Sequence, residues 1–517
     1  MSPSPQLLVL LLLAVLLLFP LYLLIFSTKR ALSKKIKLPP SPPKFPLIGN
    51  ILQLGSLSHH SLRALAEKHG PLMLLHLGRV PTLVVSSAEI AQEIMRTQDL
   101  VFASRPSLKA IRIAFYEGMG LAFTPYGDYW RLVRKLCALH VLGAQKVHSF
   151  RLMREEEVAF MMEKISEASA ALVPVDMSKV LNSFANDMIS RAVAGKFFRG
   201  GGRNDLLREL IDEMPAIAGQ FHFEDYFPSL AWLDALLGLN TGAQRLFKRW
   251  DGVLSEVIKD HGDRMKDGRH ENNLVDLLMS LQEDSNNQSD LPKERSLTKE
   301  QIKGILSDMF SAGTETSYAV LEWAMVEIVR NPEVMKKLQD EVRGIANGKG
   351  LVREEELSAM SYLKAVVKEL LRLHPPVPLL LPRESMDDCQ IQGYQVPKKT
   401  RVLINAWAIG RDSKYWEAPE EFRPERFLSN TVDFRGNDFQ FIPFGAGRRI
   451  CPGMNFAVAT LELALANLVL RFNWELPSGM TREEMDMAEA PGLTSRRKER
   501  LHLVAKSCIQ LGGVLNR

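Results

Sequence analysis

The hydrophobic pattern begins with twenty uncharged, mostly apolar residues at positions 7–26. At about 1.5 Å per residue, a helix of that length spans the roughly 30 Å hydrocarbon core of a bilayer. Pro20 and Tyr22 come late in the run, where a kink or an interfacial ring is tolerated. Lys29, Arg30, Lys34, Lys35 and Lys37 follow with no acid among them, and no basic side chain precedes the run. The positive-inside rule then predicts a lumenal N-terminus and a cytosolic body. A cleaved signal peptide has the opposite order, with basic residues ahead of an apolar region of about 7–15 residues. Residues 1–28 are therefore read as a membrane anchor. On that topology the sequon Asn287-Gln288-Ser289 stays unglycosylated.

Five prolines between positions 39 and 46 predict a stiff, extended segment. With the basic residues before them they make 29–46 a hinge, either an idle linker or a spacer that sets the height and tilt of the body. Its place between anchor and body favours the spacer. In the body, residues 47–517, the runs 80–86 and 401–405 predict short strands, and most other periodic stretches predict helices. The longest helix is expected over about 299–330. Thr298 and Gln301 form a capping box at its start, and Asn331-Pro332 ends it and opens another helix. Some thirty helical residues would cross a whole domain. Residues 283–295 are polar and charged and read as a surface loop, and no internal repeat is present. The expected architecture is mainly α with small β-sheets, in a single globular domain.

Composition narrows the chemistry. Hydrophobic residues make up 46% and charged residues 24% of 517, enough for a core that can hide a flat apolar cofactor. The net charge of +5 is too small for a dedicated nucleic-acid binder. Cys137, Cys389, Cys451 and Cys508 form no Cys-x-x-Cys pair, so neither a zinc site nor a disulfide framework is expected, and free thiols fit a reducing compartment. The glycines at 344–350 fail the phosphate-loop spacing, and none of the eleven histidines stands in His-Glu-x-x-His. His59 and His60 are adjacent and are expected on different helix faces, while His374, ahead of Pro375-Pro376, is expected only to shape a turn.

The most informative stretch is Phe444-Gly445-Ala446-Gly447-Arg448-Arg449-Ile450-Cys451-Pro452-Gly453. Glycines permit close approach of backbone to a ligand and can aim N–H groups at a sulfur. A lone cysteine is ordinarily a small buried residue. Here Phe444, Gly447, Arg449, Cys451 and Gly453 match the signature Phe-x-x-Gly-x-Arg-x-Cys-x-Gly at every fixed position, so the chain resembles the cytochrome P450 family. The resemblance extends to Trp130-x-x-x-Arg134, to Ala312-Gly313-Thr314-Glu315-Thr316-Ser317 on the long helix, and to Glu369-x-x-Arg372. Pro382-Arg383-Glu384 and Pro424-Glu425-Arg426-Phe427 continue it in the family's order. The anchor and hinge resemble microsomal members. Together with Phe102-Ala103-Ser104-Arg105-Pro106 and Pro382-Arg383-Glu384-Ser385, the hinge is most similar to the large plant A-type clan.

That resemblance implies the P450 fold, with haem b held by Cys451 as axial ligand. It implies that Trp130, Arg134, Arg383 and Arg449 bind the propionates, with Phe444 and Gly453 completing the thiolate loop. Guanidinium forks suit carboxylates. Glu369, Arg372 and Arg426 are implied as a buried structural triad, whereas an exposed pair would be worth only about 0–1 kcal/mol. Thr316 and Glu315 are implied to relay protons to dioxygen on the distal side, with Gly313 letting the helix open. Against this stands the ordinary reading, a threonine back-bonded to the preceding turn and a surface acid. The chain has Glu315 where the family often has aspartate and Ser317 where it often has threonine, both conservative. Arg131 and Lys135 read either as a solvated face or as part of a docking surface. The resemblance favours docking, because microsomal members take electrons from an NADPH-dependent flavoprotein reductase.

By the same analogy, residues 106–126, 308–312, 377–381 and 492–494 line a mostly apolar pocket that includes Asp308, Ala312, Val377, Leu381 and Leu493. Asp308 could face a polar group of the substrate or point away. The expected function is a haem-thiolate monooxygenase acting on an apolar small molecule in plant specialised metabolism, single-pass in the endoplasmic reticulum membrane. Two rivals remain: a same-fold isomerase or dehydratase needing no reductase, and a non-catalytic membrane haem protein. The retained Glu315-Thr316 pair weighs against both.

Overall fold

The computed structural model describes residues 37–195, 203–267, 273–283 and 296–508. The apolar run 7–26, the basic residues Lys29 to Lys35, the sequon at Asn287 and most of the polar loop 283–295 lie outside them. From Lys37 onward the proline segment is tied to the body. The Pro40 carbonyl accepts from Leu74 N at 2.8 Å and the Lys37 carbonyl from Gln395 N at 2.8 Å.

The long helix spans Lys299–Arg330. Thr298 Oγ1 accepts from Gln301 N at 3.2 Å while Gln301 Oε1 accepts from Thr298 N at 2.9 Å, satisfying two donors that a helix start otherwise leaves unpaired. Asn331 ends it, and Pro332, which has no N–H to lose, opens the next helix, Pro332–Ala346. Nearly every residue from Ile302 to Val329 is buried except those lining the cavity described below, so the helix runs through the core. It packs against Met177–Ala194 at close range: a Cβ added at Gly313 would lie 2.6 Å from Ile189 Cγ1. Gly313 thus allows helix to meet helix, and the helix continues unbroken through it.

The largest sheet has four strands in the order Leu72–Leu77, Val80–Val85, Arg401–Ile404 and Arg383–Glu384. The first two form an antiparallel hairpin whose two-residue turn puts Gly78 at φ +62°, which suits glycine. Val80–Val85 then pairs in parallel with Arg401–Ile404, Leu83 opposite Val402, which brings distant parts of the chain together. Arg383–Glu384 closes the sheet antiparallel, placing Arg383 beside Val402. A buried apolar cluster that includes Leu83, Phe102, Val402, Ile442 and Ala446 joins this sheet to the segment leading into Cys451. The three smaller sheets among the described residues include the pair Glu489–Ala490 and Arg496–Arg497.

Helix Met454–Arg471 follows the cysteine loop directly. Among the described residues it alone is long and apolar enough to cross a membrane, but most of it is buried inside the body, as befits a core helix. His374 does more than shape a turn. It is buried with Nε2 2.7 Å from Glu327 Oε1, and its ring stacks on Trp323 with centroids 4.2 Å apart.

Candidate active site

The cysteine loop is built on two glycines in the left-handed region, Gly445 at φ +68° and Gly447 at φ +69°. A Cβ on Gly447 would stand 2.1 Å from the Met95 carbonyl oxygen and 2.6 Å from Asp99 Oδ1, so no other residue fits. Asp99 Oδ2 in turn accepts from Arg448 N at 3.0 Å, and Cys451 N donates to the Phe444 carbonyl at 2.9 Å, closing the loop. The backbone N–H groups of Gly453 and Met454 point at the Cys451 sulfur. They begin the helix Met454–Arg471, whose N-terminal dipole favours an anion. Burial pushes the Cys451 thiol up, while these N–H groups and the Arg134 charge act in the opposite direction. A Cβ on Gly453 would lie 3.9 Å from the sulfur. Phe444 lines the cavity above the loop and packs edge-on against Phe434 at 5.5 Å.

Four arginines line the same cavity: Arg105, Arg134, Arg383 and Arg449. Arg449 is held by the carbonyls of Ala103 at 2.6 Å and Thr124 at 2.7 Å. Its guanidinium lies 4.1 Å over the Trp130 ring, and Arg134 lies 6.0 Å from the same ring. The Trp130 indole N–H donates to the Leu121 carbonyl at 3.1 Å. Arg383 donates to Ala446 O at 2.9 Å and stands 3.7 Å from Asp99. Arg105, which was not singled out from the sequence, donates to Ala122 O at 3.0 Å and to the carbonyls of Leu381 and Pro382 at 2.6 and 2.8 Å. Burial pushes Arg449 down to about 9, with the charges of Arg383 and Arg134 adding to it. Burial takes Arg383 to about 10, and Arg105 is depressed by burial and then by Arg383 and Arg449. Buried cations that depress one another call for anions in the space they line.

The facing wall is the long helix. Met309, Ala312, Glu315, Thr316 and Ser317 all line the cavity. Thr316 Oγ1 donates to the Ala312 carbonyl at 2.7 Å, the back-bond expected of a mid-helix threonine. That leaves the oxygen's lone pairs available to a donor in the cavity. Glu315 is no surface acid. It is buried, Oε1 accepts from Thr494 Oγ1 at 2.8 Å, and Arg496 Nε stands 3.1 Å away. Its Oε2 is shut off from solvent without a hydrogen-bond partner. Burial raises the carboxyl to about 7 against the pull of Arg496 and Thr494.

The remaining walls are apolar. Val377, Leu380, Leu381 and Leu493 line them, with Phe115, Leu121 and Phe123 from the segment 106–126. Asp308 also borders the cavity, and one of its carboxylate oxygens, Oδ2, accepts from the backbone N–H groups of Leu121 at 2.5 Å and Ala122 at 2.8 Å. Burial raises it to about 6. It fastens this segment to the long helix. Sequence reading missed the contribution of Ile211 and Met214 from helix Arg203–Ala218, although Leu207, Leu210, Ile211 and Met214 recur at helical spacing.

Away from the cavity, Glu369 and Arg372 are fully buried and bidentate at 2.7 Å for both contacts. Arg426 Nε reaches Glu369 Oε1 at 3.0 Å, and Arg372 also donates to the carbonyls of Gly410 and Pro419 at 2.7 Å each. The triad knits helix Ser361–Leu373 to the segments that lead into the cysteine loop.

A cysteine loop and a helix wall lining one apolar chamber, with a rim of arginines lacking enough anions, have the donor set of a haem-thiolate protein. The family model for cytochrome P450 matches residues 39–504, and the chain belongs to that family. It is 50% identical to cytochrome P450 71A1 of Persea americana over 89% of this chain and 91% of the other. It is 48% identical to an indole-2-monooxygenase of Zea mays over 92% and 88%, and 45% identical to a strychnine-11-hydroxylase of Strychnos nux-vomica over 93% and 92%. A zebrafish cytochrome P450 solved with abiraterone superposes with a TM-score of 0.72 at 25% identity, covering 87% of this chain and 98% of that one. The chain is a P450 monooxygenase of plant specialised metabolism, with haem b as cofactor and electrons supplied by a reductase.

Proposed function

We propose that Cys451 is the axial thiolate, that Arg105, Arg134, Arg383 and Arg449 hold the propionates beside Trp130, and that Thr316 and Glu315 deliver protons across the chamber. The observation that carries this reading is that Cys451, Thr316 and a buried, half-satisfied Glu315 line one largely apolar cavity. When bound, the haem supplies the oxygen-activating redox chemistry, with one atom of dioxygen entering the substrate and the other leaving as water. This chain's residues exclude bulk water, orient the substrate and move the protons. Glu315, raised to about 7, exchanges protons near neutral pH, and in this reading the Thr316 hydroxyl passes one on. Glu369, Arg372 and Arg426 act structurally.

The substrate is a mostly apolar small molecule, because the walls are chiefly aliphatic and aromatic and Asp308 Oδ2 is already held by backbone. The relatives named for oxidation at indole and at strychnine support a plant specialised metabolite. Residues 1–28 anchor the chain once through the endoplasmic reticulum membrane, residues 29–46 space it, and residues 47–517 make up the cytosolic haem domain. Arg131 and Lys135, exposed on the helix Asp128–Cys137, form part of the docking face for an NADPH-dependent flavoprotein reductase.

The test is the carbon-monoxide difference spectrum of the dithionite-reduced protein beside Cys451→Ser. A strongly red-shifted Soret band in the wild type that vanishes in the variant is expected. A folded, haem-loaded wild type without that band would remove Cys451 from its role.

A further inference from the structure

The two adjacent histidines set aside in the sequence meet a third donor in the fold. His59 and His60 sit in the first turn of helix Ser58–His69, and Glu489 comes from the strand Glu489–Ala490 near the other end of the chain. One ligand atom from each lies within 4.8 Å of the others. His59 Nε2 is 2.8 Å from Glu489 Oε2, and His60 Nε2 is 3.8 Å from Glu489 Oε1. We propose that His59, His60 and Glu489 form a binding site for a divalent transition-metal ion of the zinc type, separate from the haem pocket.

The first support is a buried pair of potential ligand atoms. His59 Nε2 and Glu489 Oε2 are both shut off from solvent and meet only each other, at 2.8 Å and poorly aligned for a hydrogen bond. Buried polar atoms are ordinarily well satisfied, and a shared cation would serve both. The second support is spacing. Donors around a tetrahedral zinc ion with bonds of about 2.1 Å lie roughly 3.4 Å apart, and the imidazole nitrogens stand 2.8 and 3.8 Å from the two oxygens of the one carboxylate, with a ligand atom of each side chain within 4.8 Å of the others. The third is rigidity. Trp407 packs on both imidazoles, at 5.2 Å from His59 and 4.2 Å from His60, and Asn405 Nδ2 donates to the His59 carbonyl at 2.8 Å. Such outer contacts hold ligand rings in place.

The neighbouring basic side chains are already engaged: Arg411 Nε with Glu420 at 2.9 Å, Arg63 with Glu420 at 2.6 Å, and His374 with Glu327 at 2.7 Å. Two imidazoles and one carboxylate suit a borderline cation, and the half-exposed His60 side leaves room for a water as fourth ligand.

The position gives the ion a consequence. Glu489 pairs with Arg497, and Ala490 with Arg496, so the turn between these strands carries Leu493 and Thr494 into the cavity wall. An ion on Glu489 would clamp that hairpin to helix Ser58–His69. The site's existence does not depend on the roles assigned to Thr316 or Glu315.

The test uses the full-length, haem-loaded protein, stripped with a chelator and dialysed against zinc. Zinc and iron per chain are then counted by elemental analysis. Wild type should retain one zinc that His59→Ala and Glu489→Gln lose, and His60→Ala should weaken it by about tenfold or more. Iron content reports whether each variant kept its haem and fold. Should His59→Ala lose iron, the half-exposed His60→Ala decides alone. Zinc-edge absorption should show only nitrogen and oxygen neighbours at about 2.0–2.2 Å. A wild type that retains no zinc overturns the proposal, as do iron-replete variants that retain as much zinc as wild type or a first shell containing sulfur.

Discussion

The Thr494 hydroxyl donates to Glu315 Oε1 at 2.8 Å, which ties the hairpin near the end of the body to the middle of the long helix. Arg496 on the same hairpin stands 3.1 Å from the same oxygen. These two contacts keep a buried carboxyl from rising further, so the acid at the distal wall is tuned by residues far from it in sequence.

Glu315 should make stability fall as pH rises. Its folded value, about 7, lies above the ordinary glutamate value near 4.5, with burial as the cause. The folded state therefore holds the proton more tightly than the unfolded chain. The contribution is fully present below about pH 4.5 and is lost as pH climbs through about 7. Glu315→Gln cannot ionise. Thermal melts from pH 5 to pH 8 should show the variant gaining on wild type as pH rises, and parallel curves would contradict this assignment. Thr494→Val removes a contact that lowers the carboxyl, so any pH step in turnover owed to Glu315 should move upward.

Thr316→Ala removes the hydroxyl proposed to hand on a proton, while Ser311 and Ser317 stay on the same wall. Coupled product formation should fall by roughly 10²-fold while NADPH is still consumed, the scale expected of a lost general acid. Product measured against NADPH with a reconstituted reductase checks it. Unchanged coupling would leave Thr316 with only its back-bond to Ala312.

Arg105 should prove as necessary as the arginines read from the sequence. Arg105→Gln removes a buried charge that borders the cavity. Losing one charge-assisted contact of about 1.5–3 kcal/mol should speed haem transfer to an apo-globin acceptor about tenfold or more. The exposed Arg131→Gln serves as the control and should transfer at the wild-type rate.

Glu369→Gln should cost on the order of 3–5 kcal/mol in urea unfolding, because it strands the fully buried Arg372 without its counter-charge. The variant should also release haem sooner. A loss below about 1 kcal/mol would mean that the carbonyls of Gly410 and Pro419 suffice to hold Arg372.

Local chemistry was legible in the sequence and tertiary convergence was not. The long helix could be read to within a residue because Thr298, Gln301 and Pro332 mark its ends by side-chain chemistry alone. The cysteine loop was legible because backbone conformation and ligand approach restrict several of its positions to one residue type, as Gly447 against Met95 shows. The strand Leu72–Leu77 was not seen. Leu-Met-Leu-Leu-His-Leu carries no β-branched residue and does not alternate, and it is a strand because Val80–Val85 pairs with it. Arg105 lay inside a run quoted only for its family likeness, and nothing local shows that Ala122 and Leu381 supply its acceptors. Helical spacing predicted that the adjacent His59 and His60 diverge, yet their ring centroids lie 4.5 Å apart and both pack on Trp407 and reach Glu489, partners that arrive from distant parts of the chain.

Arg449 and the carbonyl of Thr124 that anchors it are separated by 325 residues. A ribosome adding roughly 5–20 residues per second needs tens of seconds to make that interval. The loop that presents Cys451 therefore leaves the tunnel long after the backbone it must dock against. For that time the Ala103 and Thr124 carbonyls lack the guanidinium that binds them, and the pocket can be completed only late in synthesis.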